Sequence, residues 1–295
     1  DIEISKHLEK LGVHAFWVAD FEEGVQLRKK EITKPIIVAN AGYKSVNTVI
    51  QYQLEPVIFN HRLLKLYANC KKKVSIHLKF NTGMNRYGFE TTDIQDIVST
   101  LKNNPQLNIE SVCSHLSSSN DSNKDGFSEQ QIQQFKYLCK NLEDSLGIHI
   151  PFHIMNSNGA MRFSVDSNEW VRLGIALYGG LDHPNLKQIF SLKSVISQTR
   201  FIKKGQKVGY QNSFVADKDM HIAVIPVGYA DGLNRKLGNQ NGQVFIKDTA
   251  CRIIGDISMD SFVADISEVS AQEGQEVTIF SCLLYTSPSP RDLRA

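Results

Sequence analysis

The chain has 295 residues, of which 41% are hydrophobic and 22% charged, and its formal net charge at pH 7 is +2. This ordinary composition gives no argument for a nucleic-acid or membrane partner, and no apolar run approaches the ~20 residues of a membrane-spanning helix. The five cysteines are scattered and lack C-x-x-C spacing, which argues against a disulfide framework or a metal site and favours a cytoplasmic protein.

The two ends of the sequence differ from the rest. Asp1 lies inside an apparent amphipathic helix and is not preceded by a methionine. At the other end, residues 282–295 follow abruptly on a predicted strand and resemble a translated sequencing-library adapter. We therefore expect a fragment cut at both ends that carries a non-native tail over 282–295.

Residues 1–187 alternate short apolar strands with helical stretches, a pattern that predicts a parallel sheet covered by helices. A helix is predicted from Ser128 to Leu146, with Ser128 and Gln131 forming a capping box at its start. Seven β/α repeats can be counted, so we expect a (β/α)8 barrel of the TIM type that lacks its first strand. The predicted strands are 15–19, 35–39, 56–59, 74–80, 109–114, 152–155 and 170–174.

Residues 188–281 have a different texture, with short strands separated by Gly, Asn and Asp turns, and they predict a second, mainly β domain. Within it, the apolar run 222–225 breaks at Pro226 and is followed by Tyr229. A tyrosine at such a corner can keep its hydroxyl free to move a proton, although most strand-end tyrosines are structural. The segment around Met259 is typical of a β-turn between strands.

Polar residues cluster just after the barrel strands, at the rim where the active sites of such barrels lie. Lys79 ends a strand and Arg86 follows on its loop, so the pair is either solvated or anion-binding, and the sequence leaves both readings open. His115 follows the next strand, where a lone histidine is more often structural than catalytic. Ser157 starts a Gly-bearing turn that is a candidate phosphate site. Arg172 lies in an apolar stretch, where a guanidinium requires a partner.

Taken in order, these stretches resemble the alanine racemase family of fold-type III pyridoxal-phosphate enzymes over nearly all of residues 1–281. The resemblance implies a homodimer that uses pyridoxal 5'-phosphate to interconvert L-alanine and D-alanine by two-base proton transfer, supplying D-alanine for peptidoglycan. The motifs that carry it are Lys79 to Gly88 (K-x-x-T-G-M-x-R-x-G), Ser114-His115-Leu116, Asn156-Ser157, Val171 to Gly179, Gly205 to Tyr210, Val227 to Gly232 and Gly255 to Asp260.

The resemblance also implies roles for single residues. Tyr229 is expected to be one of the two acid/bases and to reach into the site of a partner subunit, with His115 hydrogen-bonding and tuning it. Arg172 is expected to face the pyridine nitrogen, where a permanent cation disfavours protonation and suppresses transamination. Lys79 matches a lysine that is carbamylated in many family members.

Further implied contacts concern the phosphate and the substrate. Ser157 and the backbone of Gly174 and Ile175 are expected to hold the cofactor phosphate. Arg86 and the backbone N–H of Met259 are expected to lie beside the phenolic oxygen of the cofactor and the substrate carboxylate.

The sequence departs from the family pattern in two places. The Schiff-base lysine belongs to a K-A-N-A-Y-G motif that does not occur here, and Lys44 follows the wrong strand to replace it. The phosphate-binding tyrosine near the family's C-terminus is also absent, since Tyr285 lies in the adapter-like tail. We therefore expect the chain as given to be inactive. The alternatives are a broad-specificity or serine racemase, or a non-catalytic pyridoxal-phosphate-binding domain fused to a cell-wall enzyme.

Overall fold

The computed structural model describes residues 2–167, 169–181 and 183–280. They form two compact units, of which the first ends at Gly174 and the second begins at Ile175. The domain boundary predicted between residues 187 and 188 stays a prediction, and the predicted tail over 282–295 lies outside the described residues. Within the described ranges, no helix is both long and apolar enough to cross a bilayer.

The first unit is built on a six-stranded parallel sheet whose neighbouring strands follow chain order from β1 to β6. Helices connect most of these strands, as the alternating pattern predicts. The strands are β1 (Phe16–Asp20), β2 (Ile36–Asn40), β3 (Glu55–Ile58), β4 (Val74–Lys79), β5 (Leu107–Cys113) and β6 (Phe152–His153). The helices are α1 (Ile2–Lys10), α2 (Phe21–Lys29), α3 (Val46–Gln51), α4 (His61–Ala68), α5 (Ile94–Lys102), α6 (Asp125–Leu146) and α7 (Ser157–Arg162).

The two faces of this sheet have different neighbours, because successive strand residues point to opposite sides. Val38, Ile76 and Leu78 belong to the large core in which the helices pack against the outer face. Burying such a side chain contributes about 1.5–3 kcal/mol, so this layer is the main source of stability. A smaller apolar cluster that includes Ile37 and Val57 lies on the inner face. The strand pattern therefore leaves the inner face available for polar side chains.

The seventh predicted strand, over 170–174, is wrong. Only Glu169 forms an isolated bridge with Phe152, and a 3₁₀ helix follows at Ile175–Tyr178. The neighbouring strand β6 is two residues long, so it offers too short an edge for a further strand to pair with. The backbone N–H of Arg172 still donates to the Met155 carbonyl oxygen over 3.0 Å, which fixes the position of that residue.

The predicted start of the long helix is also wrong. Helix α6 begins at Asp125, because a 3₁₀ turn at Ser122–Lys124 leads directly into it. Ser128 and Gln131 are consequently buried inside the helix, at 0% and 1% exposure, and do not cap it. The side chain of Gln131 is instead committed to the loops described below.

The second unit is mainly β, as predicted. Seven strands form an antiparallel sheet in the order β7-β15-β12-β13-β14-β11-β8, and β9 pairs with β10. Its core is formed by inward side chains such as Ile225, Val244 and Phe262. The strands are β7 (Leu192–Val195), β8 (Gln198–Ile202), β9 (Lys207–Val208), β10 (Phe214–Val215), β11 (Met220–Ile225), β12 (Gln243–Ile246), β13 (Thr249–Ile254), β14 (Phe262–Asp265) and β15 (Glu276–Phe280).

Candidate active site

The first candidate residues lie on the loop that follows β4. Lys79 ends this strand, and the chain folds back so that the backbone N–H of Phe89 donates to the Lys79 carbonyl oxygen over 2.8 Å. The return requires Gly88, whose φ is 137° and where any Cβ would overlap the backbone of Asn81. The Asn81 side chain in turn accepts backbone N–H bonds from within the loop. Arg86 is thus carried, with an exposed side chain, on a short closed loop.

A small pocket opens beside this loop, next to the end of β5. Burial, together with the positive charges of Arg172 and Arg86, lowers the pKa of the Lys79 ammonium from its ordinary value. No ion pair within the described ranges involves any of these three cations. Lys79 and Arg86 therefore give the pocket a positive charge that no carboxylate among the described residues neutralises by an ion pair. Its lining residues are Lys79, Phe80, Asn81, Thr82, Met84, Arg86, Tyr87, Ser114 and His115.

Arg172 is half-buried, and neutral groups satisfy its guanidinium. Nη2 donates to the Ser114 carbonyl oxygen over 2.6 Å and to Nδ1 of His115 over 3.1 Å. Nη1 donates to Nδ1 of His153 and, over 3.1 Å, to the carbonyl oxygen of the same residue. The guanidinium carbon also lies 5.1 Å from the ring centroid of Trp17. These contacts supply the partner that a guanidinium at this place requires.

His115 is held beside these cations as a neutral imidazole. Burial and the charges of Arg172, Lys79 and Arg86 lower its pKa from 6.5 to about 4. Its backbone carbonyl oxygen accepts from Nε2 of Gln131 over 3.2 Å. At neutral pH the ring therefore carries no charge, and because Nδ1 accepts from Arg172, its proton lies on Nε2.

Ser157 begins helix α7 next to the backbone of Gly174. The Gly174 N–H donates to Ser157 Oγ over 3.0 Å, so a hydroxyl and an amide lie side by side. Asn156 caps the helix by accepting from the Gly159 N–H, and it donates to the Leu116 carbonyl oxygen over 3.1 Å. A hydroxyl and backbone amides at a helix start are the groups that phosphate sites use.

In the second unit, Tyr229 and Met259 lie on loops that are joined through their backbones. Tyr229 starts a 3₁₀ turn after β11, and its N–H donates to the Ser258 carbonyl oxygen over 3.1 Å. The next N–H donates to the Met259 carbonyl oxygen over 3.0 Å. The Tyr229 side chain is 44% exposed, and the guanidinium carbon of Arg235 lies 5.3 Å from its ring centroid. The phenol is therefore not sunk in the interior of its own unit.

The predicted site residues are divided between the two units. The first unit carries Lys79, Arg86, His115, Ser157, Arg172 and Gly174, and the second carries Ile175, Tyr229 and Met259. Among residues 2–167, 169–181 and 183–280, no group of three or more His, Cys, Asp or Glu side chains is arranged to hold a metal ion.

Comparison with known protein families matches most of the chain. The model of the alanine racemase N-terminal domain matches residues 1–182, and that of the alanine racemase C-terminal domain matches residues 189–291. The chain belongs to the alanine racemase family. The alanine racemase of Fusobacterium nucleatum is 35% identical over 290 residues, which cover 95% of this chain and 80% of the relative.

Solved alanine racemases share the architecture. The enzyme from Bartonella henselae, solved with covalently bound pyridoxal phosphate, is 28% identical with a TM-score of 0.82, over 95% of this chain and 79% of that one. The enzyme from D-cycloserine-producing Streptomyces lavendulae superposes with a TM-score of 0.89 at 22% identity, over 99% of this chain and 80% of that one, a likeness of fold alone. The family assignment confirms the predicted barrel plus β-domain fold, the amino-acid racemase class and the pyridoxal-phosphate cofactor class.

Two residues that contact the candidate site residues could not be identified from the sequence. Gln131 supports the backbone of His115, and His153 accepts from Arg172. Gln131 is one of several glutamines in its helix and has no distinguishing neighbour. His153 does have a signal, because it is a polar residue inside an apolar strand, the same anomaly that singles out Arg172.

Proposed function

We propose that this chain binds pyridoxal phosphate through Arg172, Ser157 and the backbone of Gly174 and Ile175, and that Tyr229 exchanges one of the two Cα protons of alanine. The observation that carries the proposal is the guanidinium of Arg172, a half-buried cation that donates to backbone carbonyls and imidazole nitrogens and forms no ion pair within the described ranges. A permanent cation held by neutral acceptors is suited to face an aromatic nitrogen and keep it unprotonated.

The residues present fit the cofactor. The hydroxyl of Ser157, which accepts from the Gly174 N–H over 3.0 Å, can donate its own hydrogen to a phosphate. Lys79, Arg86 and Arg172 form no ion pair within the described ranges and supply positive charge for an anionic ligand. When bound, pyridoxal phosphate supplies the electron sink that makes the Cα proton acidic.

The remaining roles follow from the protonation states of the side chains. His115 has a pKa of about 4 and is neutral at pH 7, and its Nδ1 accepts from Arg172, so its proton lies on Nε2 and can be donated to a phenol oxygen. Arg86, on the exposed face of its loop, can bind the substrate carboxylate with its planar guanidinium. The backbone of Met259 is tied to the loop of Tyr229, so we propose that the two act on the same substrate. Lys79 is a candidate for carbamylation because burial favours its neutral amine.

We also propose that the enzyme is a homodimer in which Tyr229 serves the barrel of the partner, and that it makes D-alanine for peptidoglycan in the cytoplasm. The exposure of the Tyr229 side chain supports this arrangement.

Because K-A-N-A-Y-G does not occur in residues 1–295, we further propose that the chain as given cannot attach the cofactor covalently. Borohydride reduction of the chain with pyridoxal phosphate should then leave no cofactor on the site. Covalent attachment of pyridoxal phosphate to a residue near Arg172 would contradict the proposal that the chain cannot bind the cofactor covalently.

The main test uses a protein in which a strand with the family's K-A-N-A-Y-G motif is joined ahead of Asp1, called here the lysine-bearing protein. Cα-proton exchange is measured by NMR in D₂O, separately for L-alanine, D-alanine and both enantiomers of serine. Tyr229→Phe should slow exchange of one alanine enantiomer by about 10²–10⁴-fold and leave the other much less affected. The control Tyr137→Phe removes an exposed hydroxyl from helix α6 and should change neither rate. Unchanged rates for both enantiomers in Tyr229→Phe would remove this residue from the reaction.

Mixing two inactive variants tests whether Tyr229 of one subunit completes the site of its partner. Tyr229→Phe and Arg172→Ala each damage one group, so a hybrid dimer regains an intact site only if the two groups come from different chains. Regained activity supports the shared site. No regain, with hybrid dimers shown by mass spectrometry, places Tyr229 in the site of its own chain.

A further inference from the structure

The inner face of the barrel sheet carries a row of buried polar side chains. Paired residues on neighbouring parallel strands point to the same face, and the register pairs His77 with Ser111. The register shifts between Ile76 and His77, and this bulge in β5 brings Ser111 to the inner face beside His77. Cys113 pairs with His153, so His153 shares that face with Ser111. Three strands thus place two imidazoles and a hydroxyl in one line.

These side chains form a continuous hydrogen-bonded chain that ends at Arg172. Glu55 Oε2 lies 2.9 Å from Nε2 of His77, and Nδ1 of His77 lies 2.7 Å from Ser111 Oγ. Ser111 Oγ lies 3.0 Å from Nε2 of His153, whose Nδ1 contacts Nη1 of Arg172. His77, Ser111 and His153 are each at most 1% exposed, so water does not take the place of a missing partner.

The two ends of this chain fix the direction of every bond in it. A guanidinium only donates, so Nδ1 of His153 must accept and its proton must lie on Nε2. Nε2–H of His153 then donates to Ser111, and the Ser111 hydroxyl donates to Nδ1 of His77. The remaining proton of His77 lies on Nε2 and donates to the carboxylate of Glu55, which only accepts. With both imidazoles neutral, each donor has one acceptor, and reversing any link leaves a buried donor unpaired.

We propose that Glu55 is a positioning residue for Arg172, acting through His77, Ser111 and His153 to hold the imidazole tautomer that accepts from the guanidinium. This inference rests on the proposed function, because it assigns the relay to the arginine that faces the cofactor nitrogen. If His153 carried its proton on Nδ1, two donors would face each other and the guanidinium would have to move. The carboxylate at the far end also polarises both imidazoles towards Arg172, which strengthens the last bond.

The charge state of His153 agrees with this assignment. Burial, followed by the charge of Arg172, lowers its pKa well below the ordinary value, so the ring is neutral. A relay that only fills the barrel interior would contribute stability but would not require one tautomer. The proton positions therefore separate a positioning role from a purely structural one.

The first measurement is ¹⁵N NMR of the histidine ring nitrogens in the cofactor-free chain at pH 7, with signals assigned by their loss in His77→Gln and His153→Gln. Both rings should carry a single proton on Nε2. Glu55→Leu and Glu55→Gln both remove the charge, but only glutamine keeps an acceptor oxygen for His77. The leucine variant should therefore lose the single tautomer of His77 and shift the Nδ1 signal of His153, whereas the glutamine variant should retain the wild-type pattern. A proton on Nδ1 of His153 in the wild type, or identical spectra for both variants, would overturn the relay.

The second measurement is the ratio of racemisation to transamination in the lysine-bearing protein. Ser111→Ala breaks the relay and should lower this ratio about tenfold, the effect of losing one net hydrogen bond to Arg172. Ser111→Thr keeps the hydroxyl and should restore the ratio. Ser75→Ala, which removes a 2.7 Å bond to Glu110 on the same pair of strands, is the matched control and should leave the ratio unchanged.

The two measurements also separate this inference from the proposed function. Single Nε2 protons in a wild-type protein that does not racemise would contradict the proposed function and, with it, the role of the relay. An active protein in which Ser111→Ala leaves both the spectra and the ratio unchanged would contradict the relay alone.

Discussion

Gln131 is the buried link between helix α6 and the rim loops of the barrel, and its replacement by glutamate gives a sharp prediction. Its Nε2 donates to the His115 carbonyl oxygen over 3.2 Å and to Thr82 Oγ1 over 3.4 Å. Its Oε1 accepts from the backbone N–H of Ser117 over 3.1 Å. At 1% exposure, none of these groups can turn to water instead. Gln131→Glu keeps the shape and the accepting oxygen, but it removes both donated bonds.

The expected cost can be worked out from these contacts. Two lost hydrogen bonds cost about 1 kcal/mol each, and a carboxylate facing the His115 carbonyl oxygen adds desolvation and repulsion, for a total of about 2–4 kcal/mol at pH 7. Burial raises the pKa of the introduced carboxyl above its unfolded value, so the folded state binds the extra proton. The destabilisation of Gln131→Glu should therefore shrink as pH falls from 7 to 5, where a protonated carboxyl can donate to His115 again.

Urea unfolding followed by tryptophan fluorescence measures this cost in the relevant unit. The chain has two tryptophans, Trp17 and Trp170, and both lie in the first unit. Gln134→Glu makes the same chemical change on an exposed position of the same helix and should shift the unfolding midpoint little. Equal midpoints for Gln131→Glu and Gln134→Glu at pH 7 would refute the reasoning.

Two further predictions concern the same rim. Gly88→Ala should destabilise the first unit by at least about 3 kcal/mol and abolish anion binding at the loop, because its φ is 137° and a Cβ would overlap the backbone of Phe80 and Asn81. The matched change Gly126→Ala meets no atom within 4 Å and should cost nothing, so equal losses in thermal denaturation would contradict the clash. His115 has a folded pKa of about 4 against 6.5, so the unfolded state binds its proton first as pH falls. It should therefore cost up to about 3 kcal/mol of stability between pH 6.5 and 4, and His115→Gln should flatten that part of the urea-unfolding profile, an effect that an unchanged slope would exclude.

The sequence predicts the strands of the first unit well wherever they are continuous apolar runs. Strand β2 is predicted over 35–39 and found at Ile36–Asn40, and β4 is predicted over 74–80 and found at Val74–Lys79. Such strands are buried on both faces, so their composition alone identifies them. The segment 170–174 has a similar apolar pattern but lacks a long neighbouring strand, and pairing depends on that neighbour. The composition of a segment contains no information on the length of the strand with which it would have to pair.

The helix start fails for a related reason. Ser128 and Gln131 have the spacing of a capping box, which is a local pattern. In the folded unit the side chain of Gln131 instead satisfies the backbone of Ser117 and His115, two groups from another loop. A tertiary demand thus overrides the local one, and only the position of that loop in space reveals it.

The sequence identifies a site residue when that residue alone breaks its local pattern. It does not identify residues whose role depends on contact with a second residue. Arg172 is anomalous by itself, because a cation in an apolar stretch requires partners. His77 and Ser111 each look like an isolated polar residue in a strand. Their relation depends on the bulge in β5, which shifts the register by one residue and turns Ser111 to the inner face. A pattern of period two cannot locate such a bulge, so the relay stays hidden until the strands are paired.

The distribution of charge explains why residues that break their local sequence pattern, such as Arg172, lie at this rim of the first unit. Lys79 and Arg172 have no ion-pair partner within the described ranges, and the charge of Arg172 lowers the pKa of Lys79. Removing either charge would relieve that repulsion, so its persistence requires a compensating gain. An anionic ligand supplies that gain, since binding to the folded state alone stabilises it in proportion to RT ln(1 + [L]/Kd). The neutral acceptors around Arg172 are consistent with this reasoning, because a protein carboxylate there would already satisfy the charge that the ligand must meet.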